Sequence, residues 1–407
     1  MPTDTSTSLR LSPSRLPRDE VPDRDGWEQR LRVVETCGPG LDYLAGRKRI
    51  EDPGVFEGNI ENFIGLAQVP VGLIGPLRIQ GAHARGDFYV PMATTEGALV
   101  ASYNRGAKIV SASGGARVIC LIDRVCRAPA FVFHDLREAT TFVAWIADQH
   151  EALGDIARSG SHYSRLEDVK ATVVGNQVFL ECEFTTGDAA GQNMVTIATD
   201  AMCRHIAATS PVRPRHWFIE SNLSGDKKAT ARAFGAARGK RVTAEVVVPR
   251  GVVRERCRTS PEMVVEFARV ATVGAVQSGA IGVQGHYANA LAAIFIACGQ
   301  DAACVAEAAV GITRFELAED GALYASVTLP NLIVGTVGGG TGLPTQGECL
   351  AITGCNGTGM VKKFAEVCAA TVLAGEISIS AALAAGQFTQ AHVRYGRKQK
   401  RDGRERP

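Results

Sequence analysis

Four ionisable side chains of this chain have the types needed to handle protons at one reaction centre. They are Glu96, Lys227, Asp301 and His392, and each stands within a distinctive stretch of sequence. A lysine can stabilise negative charge on an oxygen, and a carboxylic acid with a raised pKa can protonate that oxygen. A histidine titrates at about pH 6.5 and can protonate a leaving group near neutral pH. The four are therefore candidates for one acid–base site.

Each candidate also has an ordinary structural explanation. A Lys227-Lys228 pair suits an exposed surface, Asp301 suits the end of a helix, and His392 suits a solvated tail. The residue types alone do not separate these explanations from a catalytic one. The sequences around the four residues are therefore needed to choose between a structural and a catalytic role.

Composition places the chain among globular proteins of a reducing compartment. Its 407 residues and 45% hydrophobic content are enough for two or three domains. It has no apolar run of about 18 residues and no secretory signal pattern at its start, so we expect a soluble cytoplasmic protein with no membrane partner. The 11 cysteines lack C-x-x-C pairs and histidine clusters. This favours free thiols over disulfides or a metal site.

The charge is concentrated at the end of the chain. The net charge is +2, and residues 393–407 hold seven Lys/Arg against two Asp/Glu, or +5, which leaves −3 for the rest. The body is therefore not a surface for nucleic acid. The basic tail can either meet a phosphate-bearing cofactor or be a solvated terminus.

The elements that must position the four residues include a predicted insertion. Residues 128–220 show the order strand, helix, strand, strand, helix, strand, with a helix starting at Asp135 and a hairpin turn at Gly175-Asn176. This order is that of a ferredoxin-like βαββαβ unit. It lies between Glu96 and Lys227, so we predict an α+β protein whose large domain is formed by two segments.

The predicted domain boundaries follow from that insertion. A disordered segment precedes a helix that starts near Gly26, and the basic tail follows the large domain. Two later stretches, residues 261–277 and 286–298, are apolar nearly all round and predict buried helices. The segments are 1–25 (disordered), 26–127 with 221–392 (large substrate domain), 128–220 (small cofactor domain) and 393–407 (tail).

A glycine-containing stretch marks where a cofactor could bind. The chain has no G-x-G-x-x-G loop, but residues 187–194 lead from a hairpin strand into a predicted helix. Free N–H groups at such a helix start favour a pyrophosphate, and Gly191 permits close approach. Asp188 can also be a plain N-cap of that helix.

Six stretches in chain order resemble the catalytic portion of the class I 3-hydroxy-3-methylglutaryl-CoA (HMG-CoA) reductases, in a soluble form. They are residues 61–65, 91–97, 226–228, 297–303, 335–341 and His392, and the similarity runs from about residue 55 to 392. The resemblance implies an NADPH-dependent oxidoreductase of the mevalonate pathway and of isoprenoid biosynthesis. Such an enzyme reduces the CoA thioester of HMG-CoA to a primary alcohol through a hemithioacetal and an aldehyde.

The resemblance also implies roles for particular residues. Lys227 would face the thioester oxygen, Glu96 and Asp301 would hold the protonation states, and His392 would protonate the departing CoA thiolate. It implies cofactor contacts from Ser161, Asp188, Ala190, Gly191, Gln192, Asn193, Gly338 and Arg397. It implies substrate contacts from Arg127, Asp226, Lys228 and Asn289. It further implies a homodimer or dimer of dimers with the active site at the interface, and no metal.

Two positions in the acyl pocket depart from the family pattern. Glu220 stands where members usually have a serine, and Val270 stands where they usually have a lysine. These changes make the pocket more negative, and we expect Glu220 to pair with Lys228. One interpretation keeps HMG-CoA as the substrate with compensation from a nearby cation such as Arg269. A second is reduction of another acyl thioester in specialised metabolism, and a third is a non-catalytic regulatory paralogue. NADPH is expected over NADH because Arg397 matches a family arginine, although His162 stands where an arginine is common.

Overall fold

The computed structural model describes residues 23–36, 40–160, 163–235 and 238–389, and within them a mixed α+β fold. Helix α1 (Arg24–Glu35) begins after Asp23, whose carboxylate accepts the N–H of Gly26. This confirms the predicted first helix, with a start two residues earlier. An aspartate at this position satisfies an amide that has no partner within the helix.

The main sheet carries the large part of the molecule. It is built from β1 (Val71–Gly81), β2 (Arg85–Ala93), β3 (Ala116–Arg127), β8 (Gly239–Val248), β9 (Gly282–Val283), β10 (Gly311–Leu317) and β11 (Leu323–Leu332). Its order is β2-β1-β3-β8-β11-β10-β9. The pairs β1/β3 and β10/β9 are parallel, and the others are antiparallel.

Residues 130–218 form a second group of strands and helices. They are β4 (Ala130–Val132), α3 (Leu136–Ile146), α4 (His150–Gly160), β5 (Arg165–Val174), β6 (Gln177–Thr185), α5 (Gln192–Thr209) and β7 (His216–Phe218). The strand order is β7-β4-β6-β5 with every neighbour antiparallel. The end of β6 also pairs with the end of β3, from Val125↔Phe184 to Arg127↔Cys182, so the two sheets are continuous there.

The local signals within this group form the predicted turn and cap, with two differences. The β5/β6 hairpin turns at Gly175-Asn176, with Val174 opposite Gln177. Asp135 caps α3 by accepting the N–H of Glu138. The carboxylate of Glu138 bonds the N–H of His134 rather than that of Asp135. The single helix expected after Asp135 is two helices, because the chain turns between α3 and α4.

The other helices pack around the main sheet. They are α2 (Leu99–Ala112), α6 (Arg232–Gly235), α7 (Arg250–Cys257), α8 (Pro261–Ser278), α9 (Tyr287–Ala297), α10 (Val305–Ala308), α11 (Pro344–Ile352) and α12 (Val361–Ala384). Helix α12 lies in the core and crosses α2 so closely that a side chain at Gly106 would collide with the carbonyl of Ala374. It is long and apolar enough to cross a membrane, but 83% of its apolar window is buried inside the protein. It is therefore the central helix of the fold.

Both predicted helices are present, and α9 is buried within this chain whereas one face of α8 is exposed in it. In α9, residues such as Tyr287, Leu291 and Ile294 are fully buried. In α8, Val270, Val273 and Val276 are 63%, 63% and 72% exposed. An apolar helix surface can be covered either by the same chain or by another one, and the sequence pattern of α8 does not distinguish the two.

Three glutamates fix distant loops to the C-terminal helices, and Glu366 and Glu376 are buried while Glu348 is half-buried. Each carboxylate accepts the N–H groups of two consecutive residues. Glu348 bonds Tyr43 and Leu44, Glu366 bonds His83 and Ala84, and Glu376 bonds Gly285 and His286. Burial alone would raise the pKa of Glu376, but its bonds to His286 hold the pKa below the usual value. The last of these contacts fixes the start of α9, which carries Asn289.

Candidate active site

Lys227 and Asp301 form the centre of the site. The Lys227 Nζ lies 2.9 Å from Asp301 Oδ2, and the two side chains are 44% and 41% exposed. The hydrogen bond to Asp301 raises the pKa of Lys227. Burial alone would raise the pKa of Asp301, but the bond from Lys227 holds it below the usual value. At neutral pH the pair is therefore a cation and an anion within reach of a bound molecule.

The positions of both residues follow from unusual local backbone. Lys227 has φ +56°, in the left-handed region, which costs a residue with a Cβ atom about 1–2 kcal/mol. Asp301 follows the turn that ends α9 and accepts the N–H of Ala303, so it caps the short helix Ala302–Cys304. The helix-end explanation of Asp301 is correct, and the same carboxylate also meets Lys227.

A buried acid and a buried arginine lie beneath this pair, and the sequence analysis missed both. Glu307 Oε1 accepts the N–H of Lys227 at 3.1 Å, and Arg238 donates to the same oxygen. Arg238 also lies 2.7 Å from Asp226. One signal was available in the sequence, because Glu307 is the sole charged residue between Ala302 and Val310. An acid in such a stretch is typically buried and paired.

Arg127 joins the expected substrate residues, with one correction. Its Nη1 lies 3.2 Å from Glu220 and 3.0 Å from Asp226, and the side chain is buried. The expected pair between Glu220 and Lys228 is wrong, since Lys228 Nζ instead donates to the main-chain oxygen of Asp226 at 2.9 Å. Glu220 bonds Arg127 because the end of β3 and the chain after β7 lie side by side, where Ser221 N–H donates to Ala128. Val270, on the exposed face of α8, is not brought into this cluster.

The Glu96 side chain lines a neighbouring cavity of about 380 Å³, and Asn289 lines the same cavity. The loop before α2 holds Glu96 through a bond from its N–H to the hydroxyl of Thr94. Val305, the first residue of α10, also lines this cavity. Among the residues that the structure describes, Glu96 is therefore near the segment 301–307 without a hydrogen bond to Lys227.

The stretch 187–194 has a different organisation from a simple N-cap. Asp188 does not cap α5, because its carboxylate accepts the N–H groups of Gly359 and Val361 at the start of α12. Helix α5 begins at Gln192 after Gly191, which has φ +79° and provides no side-chain cap. A side chain at Gly191 would also collide with Thr186. The first amides of α5 are thus left without a side-chain partner, as an anion site needs.

Gln192 connects this stretch to the charged cluster. Its Oε1 accepts from Arg238 at 2.9 Å, and its Nε2 donates to the sulfur of Cys304 at 2.9 Å. Its main-chain oxygen accepts from Arg127 at 3.4 Å. The start of α5 is therefore bonded to both sides of the candidate site.

A second glycine loop lies against the first. Thr336 donates its N–H to the carbonyl of Asp188 at 2.8 Å, and a Cβ at Gly335 would lie 2.5 Å from the N atom of Ala190. Gln300, next to Asp301, accepts the N–H of Gly335 at 2.8 Å. Gly338 has φ +73° and no atom within 4 Å of a would-be Cβ, so this loop faces open space.

His392, Arg397 and Ser161 lie outside the residues that the structure describes. Across the described ranges, no group of three or more His, Cys, Asp or Glu side chains could hold a metal ion. The described cysteines are free thiols.

The arrangement supports polar chemistry at a carbonyl. A protonated lysine faces solvent beside an ionised aspartate, and the Glu96 side chain lines the adjoining cavity. Gln192, at the uncapped start of α5, bonds Cys304 of the short helix that Asp301 caps. A fixed cation can stabilise an oxygen that gains negative charge, and the helix start can hold a phosphate group.

Comparison with known proteins gives a consistent result. A family model described as hydroxymethylglutaryl-coenzyme A reductase matches residues 26–397. Relatives named 3-hydroxy-3-methylglutaryl-coenzyme A reductase include one from Pyrococcus abyssi, 44% identical over 380 residues, covering 91% of this chain and 92% of the relative. Another, from Aeropyrum pernix, is 45% identical over 403 residues, covering 97% and 95%.

The fold also matches a solved structure. The class II 3-hydroxy-3-methylglutaryl-CoA reductase of Streptococcus pneumoniae, bound to NADPH in open conformations, aligns with a TM-score of 0.71, covering 88% of this chain and 97% of that one. Its sequence identity is 19%, so the match concerns the fold alone.

Proposed function

Because the chain belongs to the hydroxymethylglutaryl-coenzyme A reductase family, we propose that it reduces HMG-CoA to mevalonate with two molecules of NADPH. One observation carries this proposal. Lys227 pairs with Asp301, and Gln192 at the uncapped start of α5 bonds both Arg127 and Arg238. Arg238 in turn bonds Glu307, which accepts the N–H of Lys227. A hydride donor and a thioester could therefore meet beside the lysine.

The chemistry assigns a task to each group. Each NADPH supplies one hydride to the carbonyl carbon. Lys227, kept protonated by Asp301, stabilises the oxygen that becomes negative in each reduction. We assign the supply of protons to that oxygen to Glu96, which lines the adjoining cavity. When the C–S bond of the hemithioacetal breaks, the CoA thiolate takes a proton, and we assign that proton to His392 on the resemblance.

The cofactor residues follow from the two glycine loops. The free amides at the start of α5, with Gly191 and Asn193, suit the diphosphate, and the open side of Gly338 leaves room for it. Asp188 shapes this loop through Gly359 and Val361, and its contact with NADPH stays a prediction. We infer that residues 128–220 act as a ferredoxin-like cofactor domain. The order β7-β4-β6-β5 supports this, being the order of a split βαβ pair.

The acyl group we favour is HMG. The competing interpretation was based on the extra negative charge of Glu220, and that charge is shared with the buried Arg127. Lys228, which is exposed and bonds only a main-chain oxygen in the described structure, supplies the cation for the substrate carboxylate. Relatives that are 41–45% identical over most of the chain are named for HMG-CoA, which disfavours both another thioester and a non-catalytic role.

We further propose a homodimer that acts in the cytoplasm. The exposed valines of α8 and the exposed Ile60 and Ile64 form apolar surface that a second copy of the chain could cover. The free thiols suit a reducing compartment. Membership of class I stays a prediction, since the similar solved structure is a class II enzyme.

The test is an assay of NADPH oxidation with a panel of acyl-CoA thioesters. We expect HMG-CoA to be turned over with two NADPH consumed for each CoA thiol released. Acetyl-CoA and succinyl-CoA serve as matched thioesters without the HMG group. Faster turnover of either one than of HMG-CoA would contradict the proposed substrate, and no turnover of any thioester would contradict the reaction.

A further inference from the structure

The segment that carries Asp301 holds Lys227 at two points. Asp301 bonds the side-chain nitrogen of the lysine at 2.9 Å. Glu307, six residues later, accepts the main-chain N–H of the same lysine at 3.1 Å. The two carboxylates therefore fix both the backbone of Lys227 and the end of its side chain.

Glu307 is buried and surrounded by hydrogen-bond donors. Its side chain is 1% exposed. Arg238 donates to Oε1, and Asn331 Nδ2 donates to Oε2 at 2.9 Å. Burial raises the pKa of Glu307, and Arg238 opposes that effect. A buried carboxylate is costly unless donors surround it, and here one of those donors is the backbone of the residue that we place at the reacting oxygen.

The left-handed backbone conformation of Lys227 needs stabilising contacts from other residues. Its φ of +56° lies in a region that residues with a Cβ atom rarely adopt. The bond to Glu307 exists only while the N–H of Lys227 points into the interior, so it favours this conformation over an ordinary one. From this conformation the side chain reaches Asp301.

We propose that Glu307 is the positioning residue of Lys227. It holds the lysine in its left-handed conformation, from which Nζ meets both Asp301 and the oxygen of the substrate. This proposal rests on the proposed reductase function. Interactions that hold a charged group ready for the transition state affect kcat, whereas substrate affinity depends on other contacts such as Lys228. Loss of Glu307 should therefore lower kcat with little change in the KM for HMG-CoA.

The experiment compares two variants of Glu307 with the same two substitutions at Glu366. Glu307→Gln keeps an oxygen that can accept the N–H of Lys227, and Glu307→Leu removes it. Glu366→Gln and Glu366→Leu are the controls, because Glu366 is equally buried and accepts the amides of His83 and Ala84 on the β1/β2 hairpin. We expect Glu307→Leu to lower kcat by about 100-fold, the scale of a lost oxyanion donor. We expect Glu307→Gln to retain kcat within about tenfold, and Glu366→Gln to lower thermal stability with kcat nearly unchanged.

A labelling measurement, which needs no catalytic turnover, tests the positioning role of Glu307 separately from the proposed reductase function. Lys227 is labelled with a limiting amine reagent across a pH series, with Lys170 on β5 as the internal reference. We expect Lys227 to react more readily in Glu307→Leu than in the wild type, because its bond to Asp301 is loosened. Should Glu307→Leu not fold, Glu307→Asn replaces it, since its shorter side chain withdraws the acceptor.

The outcomes are distinct. Unchanged labelling of Lys227 together with unchanged kcat in the Glu307 variants would overturn the positioning role, even in an active reductase. Increased labelling in a protein that does not reduce HMG-CoA would support the positioning role and defeat the proposed function alone. A loss of kcat in Glu307→Leu no larger than in Glu366→Leu, with labelling of Lys227 at the wild-type level, would make Glu307 a purely structural residue.

Discussion

Gln192 and Cys304 are joined by a hydrogen bond of 2.9 Å from the amide nitrogen to the sulfur. The first residue of α5 is thereby bonded to the short helix that Asp301 caps. Burial raises the pKa of the Cys304 thiol, so the sulfur stays protonated. A neutral thiol can accept from Gln192 while its S–H faces Asp301, so the cofactor side and the catalytic side share one contact.

We expect the effects of Gln192→Leu and Cys304→Ala on kcat/KM to be non-additive. Each change alone breaks the same bond, so the double variant should lose less than the sum of the two. Residues in contact typically show interaction energies of about 0.5–3 kcal/mol. The cycle is measured by steady-state reduction of HMG-CoA, with Gln192→Leu plus Glu366→Gln as a distant pair that should be additive. Additivity for Gln192 and Cys304 would show that the bond carries no coupling.

Lys227→Ala should lower kcat by about 100-fold or more, the scale of a lost oxyanion donor. The side chain is 44% exposed, so melting temperature should change little. The adjacent Lys228→Ala is the matched control and should raise the KM for HMG-CoA with a smaller effect on kcat. A Lys227→Ala enzyme that keeps a third of its activity would remove the lysine from the mechanism.

Acid stability should depend on Glu376. Burial opposes ionisation, but the bonds to His286 hold its folded pKa below the usual 4.5. The unfolded state therefore binds the proton more readily, so this contribution is present above about pH 4.5 and is lost as pH falls through the lowered folded pKa. Glu376→Gln should be less stable at neutral pH and should lose less further stability on acidification, as followed by urea unfolding. Parallel losses in both proteins would show that Glu376 does not titrate in this way.

The exposed face of α8 should control assembly. Val273→Asp places a charge among side chains that we expect a second copy to cover. The proposed dimer should therefore dissociate toward the 43.1 kDa chain and lose activity. Val174→Asp, on β5, changes a similarly exposed valine and should have no such effect. Light scattering after size-exclusion chromatography measures both. A wild-type protein that is active as a monomer would refute the proposed interface.

Local signals predicted much of this structure. Asp135 caps α3, Gly175-Asn176 turns the β5/β6 hairpin, and Asp301 meets Lys227. In the first two cases the information lies within a few neighbouring residues, because caps and turns are local. The meeting of Lys227 and Asp301 was predicted from the surrounding motifs.

The rest depends on partners far away in the chain. The acceptor for the N–H of Lys227 is 80 residues away, and the partners of Asp188 are more than 170 residues away. The exposure of the α8 valines was not predicted for a second reason. The sequence pattern of an apolar helix is the same whether this chain or another one covers it. Glu220 illustrates the difficulty within the site. Its carboxylate was expected to pair with Lys228 and instead pairs with Arg127.

The buried glutamate that holds the β1/β2 turn also sets an order of events during synthesis. The amides of His83 and Ala84 are made long before their partner, since Glu366 follows them by 283 and 282 residues. At about 5–20 residues per second, a ribosome needs roughly 15–60 s to cover that distance. For that interval the hairpin turn has no carboxylate to bond, so the N-terminal part of the main sheet reaches its final form only when the C-terminal helix has left the ribosome.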